Sequence, residues 1–269
     1  MQIEDCTVDW TGGYVTNVEY TSGYYRELAP AFQNFVLLAQ GIAQPSQKQL
    51  RYLELGFGQG LSLLIHAAAT RGEFWGTDFN PSHAAGAQEL ADASAIPAQV
   101  FDQSFAEFAE RRDLPQFDAI ALHGIWSWIS AENRHVIVDL LRRHLRPGGV
   151  VYISYNTLPG WAAVLPLRHV LDLHARLVGQ QSQGMRDRVD AALAFGQRIA
   201  EAGSKYFLAT PELAERLKRM SATDRDYLAH EYFNADWHPM HFSELAGTLE
   251  AAKLTFAASA QLSDYFETR

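Results

Sequence analysis

The stretch Leu53-Glu54-Leu55-Gly56-Phe57-Gly58-Gln59-Gly60 decides the fold, together with the apolar residues 61–65 that follow it. Its apolar start predicts a strand, and the residues after the last glycine predict the first turns of a helix. Glycines in the turn let the backbone bend sharply and let a ligand approach without meeting a Cβ atom. The N–H groups at the start of the helix would then face an anion. The stretch therefore predicts a ligand-binding loop, or else a glycine-rich turn without a ligand.

Further apolar runs follow this first strand, and helical patterns separate them. The predicted strands are Arg51–Leu55, Glu73–Thr77, Ala98–Phe101, Phe117–Leu122 and Val150–Tyr155. This alternation is typical of βαβ units in a parallel sheet. We therefore expect an α/β fold with a doubly wound, mostly parallel, Rossmann-like sheet. Pro147-Gly148-Gly149 predicts a turn between a helix that ends at Leu145 and the fifth strand.

The pattern divides the chain into four segments. Residues 1–48 are aromatic and then helical from about Pro30 to Ile42, and residues 49–161 form the predicted sheet. Residues 162–241 have helical periodicity and are too long for one connection, which predicts a helical insertion or lid over the carboxyl edge of the sheet. Residues 242–269 predict a return to the sheet through a helix at 242–252 and a strand at 254–258.

Composition excludes several classes of protein. With 269 residues, 48% of them hydrophobic, the chain has enough apolar material for a large core, and its net charge of -9 disfavours binding to nucleic acid or to anionic lipid. A single cysteine, Cys6, excludes an intrachain disulfide. An acidic amino terminus and the lack of a long apolar run predict a cytoplasmic protein without membrane insertion. His230, His238 and His241 have no accompanying carboxylate or cysteine ligands, so we expect no metal site.

A carboxylate follows the second strand at Asp78, where it can accept hydrogen bonds from both hydroxyls of a ribose. The alternative is that Asp78 caps the helix that begins near Pro81. The glycine loop and the carboxylate together favour a nucleoside ligand. Leu61 stands where a dinucleotide-binding fingerprint has its third glycine, which favours S-adenosylmethionine over NAD.

The residues expected to hold this cofactor lie at the ends of the first three strands. They are Glu54, Gly56, Phe57, Gly58 and Gly60 at the methionine part, Asp78, Phe79 and Asn80 at the ribose and adenosine, and Asp102, Ser104 and Phe105 at the adenine. This assignment follows the rule that parallel sheets bind ligands outside the carboxyl ends of their strands.

These motifs resemble those of the class I methyltransferases. Residues 53–60 are similar to their first motif and residues 76–78 to their second, while the blocks at 123–128 and 154–161 resemble bacterial methyltransferases that carry a methyltransferase regulatory domain. Some members of that group methylate lysines of outer-membrane proteins. The resemblance implies methyl transfer to a protein lysine or to another amine or hydroxyl. It also implies an antiparallel strand near the carboxyl end that this chain lacks after Ala260, so we expect a fragment of a longer protein.

Two residues at the ends of the fourth and fifth strands are the candidates for catalysis. An amine or hydroxyl acceptor must lose a proton, which requires a basic or polar group near the methyl group. His123 would act as this base or support the cofactor, and Tyr155 would hydrogen-bond the acceptor, stack on it, or only form part of the wall of the site. Tyr20 and Tyr25 would fold over the cofactor, as the resemblance implies, or would pack the first helix onto the sheet. The tryptophans Trp126, Trp128 and Trp161 would build an aromatic pocket or belong to the core.

Two alternatives from other functional classes remain. The chain would be a catalytically silent binding module that keeps the fold, or an NAD-dependent oxidoreductase. No residues typical of hydride transfer stand out in the sequence. Asn156 is followed by Thr157 rather than by the Pro-Pro-aromatic block of adenine methyltransferases, so DNA is not an expected substrate.

Overall fold

A computed structural model describes residues 23–44, 49–178 and 184–265 of the chain. The contacts among them form two compact units, which are described separately below. The sheet unit comprises the described residues up to Asn156 together with those from Met240 onward, and the helical unit comprises the described residues from Thr157 to Pro239. Tyr20, a predicted cofactor contact, lies outside the described residues.

The sheet unit confirms the predicted α/β fold. Within the described residues its sheet has five parallel strands in the order β3-β2-β1-β4-β5. The strands are β1 (Leu50–Leu55), β2 (Gly72–Asp78), β3 (Ala98–Asp102), β4 (Phe117–Leu122) and β5 (Leu145–Ile153). The chain reverses its direction of winding between β1 and β4, and ligands of such sheets bind at this switch point.

Helices connect the strands and form most of the described part of the helical unit. Those of the sheet unit are α1 (Pro30–Ala39), α2 (Leu61–Ala69), α3 (Pro81–Ala93), α4 (Phe105–Ala109), α5 (Ala131–His144) and α11 (Phe242–Leu249). Those of the helical unit are α6 (Leu165–Leu177), α7 (Met185–Glu201), α8 (Lys205–Ala209), α9 (Pro211–Ser221) and α10 (Arg225–Tyr232). The helical pattern predicted after residue 161 is thus confirmed, whereas its role as a lid stays a prediction.

The two faces of the sheet carry different side chains. Because successive residues of a strand point to opposite faces, Ile120 and Leu122 of β4 pack in one apolar cluster and Ala119 and Ala121 in the other. In the register of the sheet, Ala121 pairs with Glu54 of β1 on one side and with Tyr152 of β5 on the other. The alanine face therefore leaves room above β4 for larger side chains from the strands on either side.

The segment Pro147–Gly149 is a bulge inside β5 rather than a turn before it. The strand pairs with β4 on both sides of this segment, and the register shifts across it. At its base the buried Asp118 carboxylate accepts a hydrogen bond of 2.8 Å from the Arg146 guanidinium. The predicted turn was therefore wrong. Residues 147–149 leave the hydrogen-bond pairing between β4 and β5, and the pairing resumes at Val150. The strand also ends at Ile153, before the predicted end at Tyr155.

The strand predicted at Leu254–Ala258 does not form. These residues have no regular structure, and the Phe256 side chain is 66% exposed. Its ring contacts the Phe242 ring of α11 at a centroid distance of 5.0 Å. A strand is stabilised by pairing and packing with its neighbours, so a short apolar run does not specify one by itself.

The helical unit has its own apolar core. Leu171 of α6, Val189 and Ala192 of α7, and Leu217 of α9 are almost completely buried there. Gly196 allows the close approach of these helices, since an added Cβ atom would lie 3.1 Å from a Leu171 methyl carbon. This unit therefore packs by the same burial of apolar helix faces that the sequence periodicity predicts.

Gly76 of β2 provides a test of the packing beneath the glycine loop. An added Cβ atom would lie 2.6 Å from Leu63 Cδ2 and 2.8 Å from Phe57 Cδ1, and both side chains are buried and have little space to move. We expect Gly76→Ala to lower the free energy of unfolding by about 1–3 kcal/mol, the usual cost of overpacking. Urea denaturation measures this change.

The matched control is Gly86→Ala in α3, where an added Cβ atom meets nothing within 4 Å. Alanine favours a helix over glycine by up to about 1 kcal/mol, so this variant should be slightly more stable than the wild type. Equal stability of the Gly76 variant and the wild type would contradict the close packing of α2 and the loop against β2.

Candidate functional site

The glycine loop between β1 and α2 has a backbone that only glycine adopts readily. Gly56, Gly58 and Gly60 have φ angles of 70°, 59° and 74°, in the left-handed region. A Cβ atom at Gly60 would also lie 2.7 Å from the Ala87 Cβ atom. The buried Phe57 side chain anchors the loop in the apolar cluster beneath it. The loop thus presents backbone rather than side chains at the carboxyl end of β1.

The carboxylate of Asp78, at the tip of β2, is bonded directly to this loop. Its Oδ2 accepts a hydrogen bond of 2.9 Å from the Gly58 N–H, and its Oδ1 accepts one of 3.0 Å from the Asn80 N–H. The glycine loop and the carboxylate after β2, which the sequence predicts separately, are therefore joined by a hydrogen bond. Each carboxylate oxygen keeps a further lone pair, which is the requirement for accepting hydrogen bonds from ribose hydroxyls.

The alternative role of Asp78 as a helix cap is wrong. The side chain of Asn80 caps α3, because its oxygen accepts a hydrogen bond of 3.1 Å from the Ser82 N–H. Capping satisfies one of the unpaired N–H groups at the start of the helix. Asn80 therefore stabilises the start of α3, and its contact with adenosine stays a prediction.

Glu54 is a buried acid at the end of β1. Its Oε2 accepts a hydrogen bond of 3.1 Å from the Tyr52 hydroxyl. Burial raises the pKa of the Glu54 carboxyl to about 8, with a further rise from the charge of Asp78, whereas the Tyr52 hydrogen bond opposes the shift. At pH 7 this carboxyl therefore holds its proton in the protein without a ligand.

The residues predicted at the adenine end differ in their surroundings. Asp102 ends β3 next to Asp78 in the sheet register, and its side chain is exposed. Ser104 caps α4, where its N–H and its hydroxyl both donate to Glu107 Oε2 at 2.8 Å. Phe105 packs against an apolar cluster of the sheet, and Phe79 is half-buried. Asp102 is thus the member of this predicted set with an exposed polar side chain.

Tyr25 lies beside the glycine loop. Its N–H donates to Ser62 Oγ of α2 at 2.9 Å, and its carbonyl oxygen lies 3.3 Å from His66 Nε2. The Tyr25 ring lies against the His123 ring at a centroid distance of 3.9 Å and an interplanar angle of 32°. The segment before α1 is therefore packed onto the sheet unit, and it also brings an aromatic ring to the tip of β4.

His123 lies at the tip of β4, but its partner on β5 is not the predicted tyrosine. Its Nδ1 lies 3.1 Å from Ser154 Oγ and 3.3 Å from the Tyr152 hydroxyl oxygen. Tyr155 instead packs with the apolar cluster on the other face of the sheet. The expectation that His123 and Tyr155 converge was wrong, because residues 152 and 155 of an extended segment point to opposite sides.

The electrostatics of His123 favour a neutral imidazole. Burial lowers the pKa of His123, and the neighbouring Glu27 carboxylate opposes this shift. Burial also raises the pKa of Tyr152 to about 12, so its hydroxyl stays protonated at neutral pH. A neutral imidazole with one nitrogen held by hydroxyl groups is chemically suited to accept a proton.

The two tryptophan-containing blocks of the sequence hold the ends of β4 and β5 together. The Gly124 N–H donates to Ser154 Oγ, and the Asn156 N–H donates to Ser127 Oγ, both at 2.8 Å. Trp126 has no exposed surface and donates its indole N–H to Met240 Sδ. Trp126 therefore belongs to the core rather than to an aromatic pocket.

Trp161 belongs to the helical unit, where arginine already covers its ring. The Arg216 guanidinium carbon lies 4.5 Å from the ring centre of Trp161, and Arg216 also donates two hydrogen bonds to the Tyr232 hydroxyl. This cation–π contact occupies a ring face that an ammonium ligand would need. Trp128 is half-buried, so whether it lines an aromatic pocket or belongs to the core stays open.

The histidines near the carboxyl end have separate surroundings. His238 Nε2 lies 3.1 Å from Asp236 Oδ1, and the His241 N–H donates to Glu244 in α11. In the ranges that the structure describes, no group of three or more His, Cys, Asp or Glu side chains has a geometry suited to a metal ion. None of the helices in those same ranges has both the length and the hydropathy required to cross a bilayer.

Sequence reasoning missed three polar residues of this site. Tyr52 lies two residues before Glu54 on the same face of β1, and Tyr152 lies two residues before Ser154, which directly follows β5. The sequence does contain a pattern that could have found them: side chains alternate between the two faces of each strand, and β4 has the small residues Ala119 and Ala121 between β1 and β5. With the correct end of β5, this alternation places Tyr152 rather than Tyr155 on the face of Ala121.

Comparison with known proteins agrees with this geometry. Residues 53–151, which contain the glycine loop and the sheet from β1 to β5, match the family model described as "Methyltransferase domain". The chain carries a class I methyltransferase domain. Residues 224–269 match a second model, described as "Predicted methyltransferase regulatory domain". Both matches agree with the resemblance inferred from the motifs.

Relatives extend the likeness to most of the chain. It is 42% identical to the uncharacterized protein sll1526 of Synechocystis sp. over 261 residues, which are 96% of this chain and 51% of that protein. The uncharacterized protein RP789 of Rickettsia prowazekii is 25% identical over 252 residues, 93% of this chain and 44% of its own length. The chain thus spans about half the length of these relatives.

A solved structure shares the fold. PKMT2 from Rickettsia typhi, in complex with AdoHcy, aligns with a TM-score of 0.76 at 21% identity, over 92% of this chain and 47% of that one. At this identity the match supports the fold. The methyltransferase domain of this chain therefore has the architecture that its own strand order and glycine loop indicate.

The buried acid Glu54 gives a pH-dependent prediction. The unfolded chain loses this proton near the ordinary value of 4.5, whereas the folded chain holds it up to about pH 8. Folding therefore becomes less favourable as pH rises between these values, by up to about 1.4 kcal/mol per pH unit. Glu54→Gln lacks this dependence and should gain stability relative to the wild type between pH 5 and pH 8.

Urea denaturation at several pH values measures this difference. The control is Glu89→Gln, which makes the same exchange at an exposed position of α3 and shows the effect of the exchange itself. A Glu54→Gln difference that stays constant from pH 5 to pH 8 would show that Glu54 is already ionised in the folded protein.

Proposed function

We propose that the chain contains the catalytic domain of an S-adenosylmethionine-dependent methyltransferase that acts on an amine, with a protein lysine as the acceptor that best fits the resemblance. The observation that supports it is the joined cradle of the Gly56–Gly60 loop and the Asp78 carboxylate at the switch point of the sheet. A methyltransferase family model matches the same residues. The solved relative PKMT2 was crystallised with AdoHcy, the demethylated form of this cofactor.

The residues present fit the cofactor part by part. The left-handed glycine loop leaves backbone space for the methionine part, and the two oxygens of Asp78 suit the two ribose hydroxyls. Asp102, exposed at the end of the neighbouring strand, suits the amino group of adenine. When bound, the cofactor supplies the methyl group as part of a sulfonium. The protein contributes orientation, since methyl transfer is an in-line displacement that depends on alignment.

His123 is the proposed base for the acceptor. It ends the strand next to β1, and its imidazole is neutral at pH 7 for the electrostatic reasons given above. The Glu27 carboxylate acts on the pKa of His123, so its negative charge reaches this side of the site although the Arg26 guanidinium pairs with it at 3.0 Å. An amine acceptor fits this arrangement better than a hydroxyl, because the field of a carboxylate attracts a cation.

Calorimetric titration with S-adenosylhomocysteine and with NAD tests the cofactor. We expect binding of S-adenosylhomocysteine and none of NAD. Asp78→Ala should weaken S-adenosylhomocysteine binding about 10-fold to 1,000-fold, because it removes the charge-assisted hydrogen bonds to both ribose hydroxyls, each of which contributes about 1.5–3 kcal/mol. Asp92→Ala, which removes an exposed carboxylate at the other end of α3, should leave the affinity unchanged.

The same titration distinguishes the alternatives. Tight binding of NAD with no response to S-adenosylhomocysteine would identify an oxidoreductase instead. Binding of S-adenosylhomocysteine without methyl release from labelled S-adenosylmethionine, on lysine-containing protein and small amine acceptors, would favour the silent binding module. Equal affinities of the Asp78 and Asp92 variants would refute the proposed ribose site.

A further inference from the structure

The Nδ1 atom of His123 faces two hydroxyl oxygens of β5 and the segment after it. Ser154 Oγ lies 3.1 Å and the Tyr152 hydroxyl oxygen 3.3 Å from this nitrogen. Within the described part of the chain, no residue hydrogen-bonds Nε2, the other ring nitrogen. The imidazole thus has one nitrogen that is held by the protein and one that is available.

The Ser154 hydroxyl is itself held in place. Its oxygen accepts a hydrogen bond of 2.8 Å from the Gly124 N–H, and the hydroxyl also hydrogen-bonds Tyr152. A hydroxyl has one proton and two lone pairs. If the proton of Ser154 goes to Tyr152, one lone pair serves Gly124 and the second is free to accept a hydrogen bond from His123.

The neutral His123 imidazole carries its proton on either Nδ1 or Nε2, and the two hydroxyl oxygens near Nδ1 favour the proton on Nδ1. An N–H at Nδ1 is attracted to both oxygens and can be shared between them. An unprotonated Nδ1 has a single lone pair, which takes a proton from one hydroxyl and leaves the second oxygen facing it without a proton between them. The arrangement with the proton on Nδ1 satisfies every contact that is observed.

Three further groups act on the His123 ring. The Tyr25 ring lies against it at a centroid distance of 3.9 Å and an interplanar angle of 32°, the Tyr152 ring lies parallel to it at 6.1 Å, and Glu27 acts on it through its charge. The close contact with the Tyr25 ring restricts rotation of the imidazole, and the hydroxyl oxygens of Ser154 and Tyr152 hold Nδ1. Together they fix the direction of Nε2.

We propose that Ser154 and Tyr152 are positioning residues that hold His123 as the Nδ1–H tautomer and leave Nε2 to take the proton of an acceptor ammonium. This inference rests on the proposed function. The ammonium proton passes to Nε2 and gives an imidazolium ion. The amine lone pair then forms the C–N bond as the C–S bond breaks, and the bonding electrons pass to sulfur, which becomes a neutral thioether.

Nitrogen NMR on the protein itself tests the tautomer without an acceptor. In protein labelled with ¹⁵N-histidine at pH 8, protonated and unprotonated ring nitrogens resonate far apart, and His123→Gln assigns the signals. We expect the Nδ1–H form in the wild type. Tyr152→Phe, and more strongly Tyr152→Phe combined with Ser154→Ala, should move the population to the Nε2–H form that free histidine prefers.

Two controls separate positioning from folding. Tyr155→Phe removes a hydroxyl from the other face and should leave the His123 signals unchanged. Ser154→Thr keeps a hydroxyl and should restore the Nδ1–H form, whereas a merely structural role of residue 154 would not require one. An Nε2–H form in the wild type, or an unchanged tautomer in the double variant, would overturn the inference.

The tautomer and the binding of the cofactor are measured separately, so failure of the inference and failure of the proposed function can be distinguished. Titration of S-adenosylhomocysteine into the same labelled samples tests cofactor binding separately. Binding together with an Nε2–H tautomer would refute the positioning role alone. An Nδ1–H tautomer without binding would refute the proposed function and leave the arrangement of His123, Tyr152 and Ser154 as a structural fact.

Discussion

The hydrogen bond from the Gly58 N–H to the Asp78 carboxylate is the interaction on which the rest of the site depends. It joins the loop after β1 to the tip of β2, and the second carboxylate oxygen binds the first residues that lead into α3. Asp78 is buried, and these backbone N–H groups bond its oxygens, while His83 Nδ1 lies 3.4 Å from Oδ1. The hydrogen bonds hold the loop in the left-handed conformation that its glycines allow.

The other side of the site depends on small residues in the middle of the sheet. Ala119 and Ala121 leave space above β4, and Tyr52 with Glu54 fills it from one side while Tyr152 fills it from the other. The result is a buried polar group of side chains on a face that is otherwise apolar. Such groups are costly to bury unless they are hydrogen-bonded, and here the hydroxyls of both tyrosines have polar partners.

Much of this could be predicted from the sequence, because it depends on local patterns. The strand–glycine–helix pattern and the acid after the second strand specify β1, the loop and Asp78 through backbone geometry alone. The predicted strand at Leu254–Ala258 failed because strands require a partner, which composition does not reveal. Tyr155 was chosen over Tyr152 because the end of β5 was misplaced, and an odd shift along a strand selects the wrong face. The hydrogen bond between Gly58 and Asp78 could not be predicted from local patterns, because it joins residues 20 positions apart that only the folded sheet brings together.

The most direct test of the account is a crystal structure of the protein with S-adenosylhomocysteine. The account predicts that both ribose hydroxyls contact the Asp78 carboxylate, that the amino-acid part lies along Gly56–Gly60, and that the sulfur is directed toward the tip of β4 at His123. Ligand density in another part of the molecule, or at this edge but without contact to Asp78, would contradict it.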